Sequence, residues 1–272
     1  MLPTPSTSHV SYDRVYEPAE DSYLLLDTLS SASETAFLHK RFSHTHPPLV
    51  VEVGTGSGVV LAFVTAHAKT LLGRADVLTL GTDINSFACI ATAKTVSVAV
   101  QDIAEHSGAQ SATFSARHGS ATFLGTLNAD LTGPLRGGAV DVLIFNPPYV
   151  PTSELPDLSK HEIYNTQTFG IQSTTFEQDS HLLSLSYAGG ADGMEVTDRL
   201  LERLPQILHP ETGVAYVLLC AQNKPQEVKN RISSWGPDWA TEMVGHSGKH
   251  GGWEKLQILR IWRKNSRGGE GR

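Results

Sequence analysis

The stretch Leu49-Val50-Val51-Glu52-Val53-Gly54-Thr55-Gly56-Ser57-Gly58 decides the fold. Its first half is apolar and β-branched apart from Glu52, a pattern typical of a buried parallel strand. The glycines predict a tight turn, and the periodicity of Val59 to Leu72 predicts a helix after it. Glycine is needed at such a turn because a side chain would block a ligand or require a forbidden φ. The stretch therefore predicts a strand, a ligand-binding turn and a helix.

Strands and helices alternate on both sides of this unit. The other predicted strands are Val77 to Thr82, Ala121 to Leu127, Val140 to Phe145, Gly213 to Cys220, Thr241 to Gly245 and Glu254 to Trp262. The other predicted helices are Glu20 to His39, a long one from Asn85 to about Ile103, and Met194 to Leu208. Alternation that ends in a hairpin predicts an α/β fold. We expect a seven-stranded, mostly parallel, Rossmann-like sheet with helices on both faces.

Composition limits the class of protein. Hydrophobic residues make up 40% and charged residues 18% of the 272 residues, which argues against disorder. No signal peptide or membrane-spanning run is evident. The two cysteines form no CxxC motif, so neither a disulfide framework nor a zinc site is expected in this chain. An intracellular, reducing compartment fits best, and the net charge of −7 disfavours general binding of nucleic acid.

The chain divides into a body and less regular stretches. Residues 1–11 and 264–272 are predicted to be flexible tails around one domain, residues 12–263. Within that domain, residues 106–120 and 151–187 have no clear period and resemble insertions.

The glycine turn indicates adenosylmethionine rather than a dinucleotide. The third glycine comes one residue earlier than in the G-x-G-x-x-G pattern, and the acid Glu52 precedes the first. Adenosylmethionine has no phosphate and presents a cationic ammonium, which Glu52 can complement. Gly54 and Gly56 are expected to lie against the cofactor. Asp83 ends the second strand, where an acid can bind a ribose diol. Alternatively, Asp83 or Asn85 caps the next helix.

A third polar residue is expected to meet the adenine. Asp130 follows the third predicted strand, with Leu131 placed against the ring. If the third strand is instead Ala112 to Ala116, Gly119-Ser120 would occupy that position.

The fourth strand runs into Asn146-Pro147-Pro148-Tyr149, which predicts the reactive end of the site. A planar amide or ring amino nitrogen is a poor nucleophile because its lone pair is delocalised. Acceptors for both of its N–H groups would favour the pyramidal transition state and aim the nitrogen. Asn146 supplies a side-chain oxygen, and Pro147 supplies a backbone carbonyl. Pro148 keeps the backbone of residue 147 extended, and Tyr149 offers a flat face.

The chain resembles the HemK-type glutamine methyltransferases. The motifs in the same order are Tyr16 to Asp21, Glu52 to Gly58, Thr82-Asp83-Ile84-Asn85, Phe145 to Val150 and Ala188-Gly189-Gly190 to Arg199. The similarity is closest to the eukaryotic cytosolic branch, which modifies the glutamine of the Gly-Gly-Gln motif in the class I translation release factor.

The resemblance implies residue roles, a partner and a location. It implies cofactor contacts at Ser22, Glu52, Gly54, Asp83, Asp130, Leu131 and Asn146. It implies substrate contacts at Glu17, Asp21 and Asn146, although the acids near Glu17 also suit a helix N-terminus through its dipole. A small zinc-binding activator is expected to form a heterodimer at the edge strand, residues 121–127, in the cytoplasm, with the zinc in the activator.

Three functions are compatible with these sequence features. The first is methylation of the glutamine amide nitrogen N5 in the release factor. The second is N-methylation of adenine or cytosine in nucleic acid, or of protein lysine, because the same motif can serve other amino groups. The third is a binding module that retains the fold without catalysis.

Overall fold

The computed structural model describes residues 2–106, 119–166, 175–248 and 255–264. Its strands form one seven-stranded sheet. Its strands are β1 (Leu49–Val53), β2 (Leu78–Asp83), β3 (Thr122–Asn128), β4 (Val142–Phe145), β5 (Val214–Leu219), β6 (Trp239–His246) and β7 (Gln257–Arg263). The order across the sheet is β3-β2-β1-β4-β5-β7-β6, and β7 is antiparallel to both of its neighbours. The predicted seven-stranded, mostly parallel α/β fold is confirmed.

Helices cover both faces of the sheet. They are α1 (Glu20–Leu29), α2 (Ala32–Phe42), α3 (Val59–Ala66), α4 (Ala68–Leu72), α5 (Ser86–His106), α6 (His161–Tyr164), α7 (Phe176–Ser184), α8 (Glu195–Ile207) and α9 (Pro225–Ser233). Side chains alternate between faces along β1, since Val50 packs with α1 to α4 and Val51 packs with α8 and α9. Both valines are fully buried, which explains the continuous apolar run in the sequence.

The helix predicted over Glu20 to His39 is two helices, because the chain breaks at Ser30 and Ser31. The Ser30 hydroxyl donates to the carbonyl of Leu26 at 2.7 Å, at the end of α1. The Ser31 hydroxyl accepts from the amide of Glu34 at 3.3 Å, at the start of α2. Serine side chains offer the backbone such alternatives to a continuous helix.

The predicted set of helices differs from the structure in two further places. The predicted helix from Val59 to Leu72 is divided at His67, whose φ of −111° and ψ of 20° are not helical. Helix α9 was not predicted. It starts with a proline and buries chiefly Val228 and Ile232, so its apolar stripe is too narrow to stand out in the sequence.

Helix α5 is long and apolar enough, by length and composition, to cross a membrane. Residues Ser86–Glu105 have a mean hydropathy of 1.3, and 33% of that window is buried. In this fold the helix packs on α3 and β3, and its Val96 and Ala99 join Leu61 and Ala62 in a small core cluster. Some of its apolar side chains therefore belong to the packing of the domain, whereas others, such as Ile90, are exposed.

A buried ion pair joins α2 to the far half of the sheet. Both carboxylate oxygens of Glu34 lie 2.7 Å from Arg260 Nη1, and the Tyr216 hydroxyl donates to Glu34 at 2.8 Å. The Arg260 guanidinium also stacks over Phe37, 3.8 Å from its ring centroid. Burial, followed by the nearby Glu34 charge, raises the pKa of Tyr216 well above its ordinary value.

Several predicted stretches fall partly or wholly outside the described residues. Most of the 106–120 insertion, the alternative strand Ala112 to Ala116 and residues 265–272 lie there. Residues 2–11, predicted as a tail, include contacts with the body. Pro3 accepts at its carbonyl from His67 Nε2 at 3.2 Å, and His9 Nε2 lies 3.2 Å from Thr95 Oγ1. The domain boundaries stay a prediction.

Candidate active site

A cleft opens at the carboxyl ends of β1, β2 and β4, where the strand order reverses between β1 and β4. It encloses about 1230 Å³, including the space at its open mouth. Residues from all the cofactor-side motifs line it, namely Ser22, Glu52, Gly54, Gly56, Asp83, Asp130, Leu131 and Asn146. The fold therefore brings every predicted cofactor residue to one place.

The glycine turn needs its glycines. Gly54, Gly56 and Gly58 have φ values of +66°, +52° and +80°, which residues with a side chain rarely adopt. A Cβ atom on Gly58 would lie 2.5 Å from the Cα of Thr92 in α5. The turn thus presents bare backbone to the cleft while α3 and α5 pack closely behind it.

Asp83 lies at the end of β2 with its carboxylate held by backbone amides. Its Oδ2 accepts from the amide of Gly56 at 2.9 Å, and its Oδ1 accepts from the amide of Asn85 at 2.8 Å. Burial raises the pKa of Asp83 to about 6, against the lowering effect of those hydrogen bonds. The capping role falls to Asn85, whose Oδ1 accepts from the amide of Phe87 at 2.9 Å.

Glu52 lies beside Asp83 in the wall of the same cleft. It is buried, and its Oε2 accepts from the amide of Leu61 in α3 at 2.9 Å. Burial is the main cause that raises the pKa of Glu52 well above its ordinary value, and the Asp83 charge adds to it. Two buried acids with raised pKa values would be stabilised in their ionised form by a ligand that carries hydroxyl donors and an ammonium.

Asp130 and Leu131 follow β3 and line the cleft. Asp130 forms an ion pair with Arg199 of α8, a partner that the sequence did not indicate. Leu131 has a φ of +50°, so its backbone is in the left-handed region. The alternative position, Gly119-Ser120, is wrong because these residues precede β3, and Gly119 accepts there from the amide of Lys69.

Asn146 follows β4 and presents an unpaired acceptor. Its Nδ2 donates to Asp21 Oδ2 at 3.0 Å. Its Oδ1 is buried and has no hydrogen-bond partner among the described residues. A buried amide oxygen without a donor is unfavourable, and such an atom in a cleft marks a place for a ligand N–H. Pro147 is buried beside it, and Pro148 lines the cleft.

Asp21, expected to contact substrate, lies behind Asn146. It is 2% exposed, and its Oδ2 also accepts from Tyr16 Oη at 3.0 Å and from Tyr149 Oη at 3.4 Å. Its Oδ1 accepts from the amide of Ser22 at 2.6 Å and from the Ser22 hydroxyl at 3.2 Å. The carboxylate is thus occupied by donors from the chain itself.

Two other predicted residues are placed differently from expectation. The Tyr149 ring is buried in the core cluster with its hydroxyl on Asp21, so it is no open platform for a planar substrate. Glu17 is exposed and is not among the residues that line the cleft. The structure therefore places Glu17 at the surface and not among the residues that line the cleft with Asn146.

The sequence missed residues that line the cleft from two separate segments. Arg14, Val15 and Tyr16 come from the segment before α1, and Leu155, Pro156 and Leu158 come from the segment after β4. These segments are joined where Arg14 Nε lies 3.4 Å from Asp179 Oδ1 in α7.

Both segments are also fixed to the start of α5. Asn85 Nδ2 donates to the carbonyl of Arg14 at 2.8 Å, and Asn165 Oδ1 accepts from the amide of Ser86 at 2.6 Å. Nothing local in the sequence indicates these contacts, because the partners lie far apart along the chain.

Comparison with known proteins identifies similar chains. The eRF1 methyltransferase catalytic subunit mtq2 of Schizosaccharomyces pombe is 30% identical over 268 residues, which cover 97% of this chain and 96% of the relative. Methyltransferase HEMK2 of Mus musculus is 31% identical over 264 residues, which cover 96% of each chain. No family model matches the sequence.

Among solved structures, the type I restriction-modification methyltransferase subunit of Streptococcus thermophilus is similar at 13% identity. The TM-score is 0.42, and the match covers 93% of this chain and 46% of that chain. A similarity at this level supports no conclusion about the function of this chain.

Proposed function

The chain belongs to the HemK-type methyltransferase family of the eRF1 methyltransferase catalytic subunit and HEMK2, and we propose that it methylates the glutamine amide nitrogen N5 in the Gly-Gly-Gln motif of the class I translation release factor. The observation that carries the proposal is the buried, unpaired Oδ1 of Asn146 in the cofactor cleft. A primary amide has the N–H groups that this oxygen lacks.

The residues of the cleft fit adenosylmethionine, which supplies an electrophilic methyl group on a sulfonium when bound. The bare backbone of Gly54 and Gly56 leaves room for the amino acid end. Among the residues that line the cleft, Glu52 would complement the ammonium, Asp83 would accept from the ribose hydroxyls, and Asp130 would contact the adenine.

Asn146 and Pro147 position the acceptor nitrogen in this mechanism. Asn146 Oδ1 accepts one N–H of the glutamine amide, and the carbonyl of Pro147 accepts the other. These bonds favour the pyramidal nitrogen of the transition state and direct its lone pair at the methyl carbon. The bound cofactor would supply the methyl group to this nitrogen with loss of its carbon–sulfur bond, and one amide proton would leave to water.

The test is methyl transfer to the recombinant release factor in the presence of the activator. We expect labelling that disappears when the motif glutamine is replaced and when Asn146 is changed to Ala. Labelling that survives replacement of the glutamine would overturn the substrate assignment. Parallel reactions with a DNA duplex, an RNA oligomer and a lysine-containing histone peptide test the other amino-group acceptors.

We further propose a heterodimer with a small zinc-binding activator at β3, in the cytoplasm. β3 is at the edge of the sheet formed by the described residues. Leu124 and Leu127 of β3 are 54% and 38% exposed, and Ile90 of α5 is 53% exposed. An apolar edge strand is an aggregation hazard unless another chain covers it.

Co-purification tests this interface. Leu124→Lys should prevent capture of the activator, whereas Ile163→Lys, a change at an exposed residue of α6, should not. Equal capture by both variants would contradict binding at β3.

A further inference from the structure

We propose that Asp21 is a positioning residue that fixes the orientation of the Asn146 carboxamide, rather than a group that contacts substrate. The inference rests on the proposed function, because it assigns the group that prepares Asn146 for the acceptor amide. It starts from an ambiguity in every asparagine side chain. The carboxamide can turn by half a rotation and exchange its acceptor oxygen for its donor nitrogen.

Only one of the two orientations suits catalysis. With Oδ1 towards the substrate, Asn146 accepts an N–H and promotes a pyramidal nitrogen. With Nδ2 towards the substrate, it would place a donor against another donor. Asp21 decides between them, because its Oδ2 lies 3.0 Å from Asn146 Nδ2 and a carboxylate accepts only.

Asp21 has no capacity left for a substrate amide. Both of its oxygens accept hydrogen bonds within the chain, from Tyr16, Asn146 and Tyr149 at Oδ2 and from Ser22 at Oδ1. A carboxylate offers roughly four lone-pair positions. The side chain is also 2% exposed, behind Asn146.

Asp21→Asn preserves the shape of the side chain at position 21, and it should therefore turn the Asn146 carboxamide into its opposite orientation. The amide of Ser22 is a fixed backbone donor at Oδ1, so the new carboxamide oxygen must stay there. Its nitrogen then replaces Oδ2. The hydroxyls of Tyr16 and Tyr149 can rotate to accept from it, but Asn146 can accept only by turning its Oδ1 away from the substrate.

A double-mutant cycle on the full chain, co-expressed with the activator, tests this inference. We expect Asp21→Asn to lower kcat for the release factor by about 10²- to 10³-fold, the loss typical for one oriented transition-state contact. In the Asn146→Ala background, the same change should alter single-turnover rates less than twofold. Asp27→Asn, the same change at an exposed position of α1, should leave both kcat and the single-turnover rate unchanged.

The cycle separates positioning from other roles. A further tenfold loss in the Asn146→Ala background would mean that Asp21 acts on substrate or through stability, and would overturn the inference. Unchanged kcat in Asp21→Asn would do so as well. The dissociation constant of adenosylhomocysteine and the Tm of Asp21→Asn should stay close to those of the wild type.

An NMR readout on the wild-type protein does not depend on activity. In the wild-type protein, one side-chain amide proton of Asn146, assigned by its absence in Asn146→Ala, should be deshielded and protected from exchange by Asp21. Rapid exchange at the random-coil shift would overturn the inference. If this signal is present but the factor is not methylated, the proposed substrate fails and the positioning role stands. The reverse result leaves the substrate standing and removes the role of Asp21.

Discussion

Lowering the pH from 8 to 5 should weaken cofactor binding about tenfold, through Asp83. Burial raises the pKa of Asp83 to about 6. Only its ionised form accepts from both ribose hydroxyls, so the apparent dissociation constant scales with one plus the ratio of protonated to ionised carboxyl. With a pKa of about 6 that factor is near 1 at pH 8 and about 11 at pH 5.

Glu52 must be separated from this effect, because burial, together with the Asp83 charge, also raises the pKa of Glu52. The assay is calorimetric titration with adenosylhomocysteine, which does not react, between pH 5 and pH 8. Glu52→Gln should keep the step near pH 6, and Asp83→Asn should bind weakly with that step removed. Wild-type affinity that stays within twofold across the range would refute the reasoning, as would a tenfold fall that persists in Asp83→Asn.

The same titration affects the stability of the cofactor-free protein with a definite sign. The folded-state pKa of Asp83 is about 6, above the ordinary value of 3.8. Its contribution to stability is therefore present in full below pH 3.8 and is lost as the pH rises through about 6. In thermal unfolding, the Tm of the wild type relative to Asp83→Asn should fall over that range, and adenosylhomocysteine should offset the fall. A Tm difference that does not change with pH would contradict this assignment.

Three further changes have defined outcomes. Asn146→Ala should lower kcat by about 10²- to 10³-fold with an unchanged Tm, and near-normal turnover would contradict the positioning of the amide. Glu34→Ala should lower the unfolding free energy in urea by about 1–3 kcal/mol, because it removes the buried acceptor of Arg260 and of the Tyr216 hydroxyl while the ion pair of Arg260 with Glu242 remains, and unchanged urea denaturation would contradict this. Gly58→Ala should destabilise the fold by about 2–4 kcal/mol through its positive φ and its contact with Thr92, and unchanged urea denaturation would count against this.

Local patterns were sufficient for the sheet and for most of the cleft. The apolar run of β1 and the glycines after it act over a few residues, so their consequences can be read from neighbouring positions. The Asn-Pro-Pro-Tyr motif is also contiguous, and it lies at the end of β4 as expected. The carboxyl ends of parallel strands meet at one edge, which is why Glu52, Asp83 and Asn146 line the same cleft.

The features of the site that the sequence did not indicate depend on contacts between distant residues. Asp21 and Asn146 are separated by 125 positions, and Asp130 and Arg199 by 69. No periodicity predicts that Asp21 is already occupied by the chain, or that Asp130 has a cationic partner. The buried position of Tyr149 follows from the packing of α1 against the sheet, which a motif of adjacent residues does not contain.

The contact between Arg14 and Asp179 has a kinetic consequence. The two segments that it joins precede α1 and follow β4, and both line the cofactor cleft. We expect that a cofactor bound in this cleft is released only when these two parts of the chain, which are far apart in sequence, separate together. The enzyme would then keep its spent cofactor between turnovers, and its steady-state rate would be governed by exchange, with a fast first turnover ahead of slower cycles.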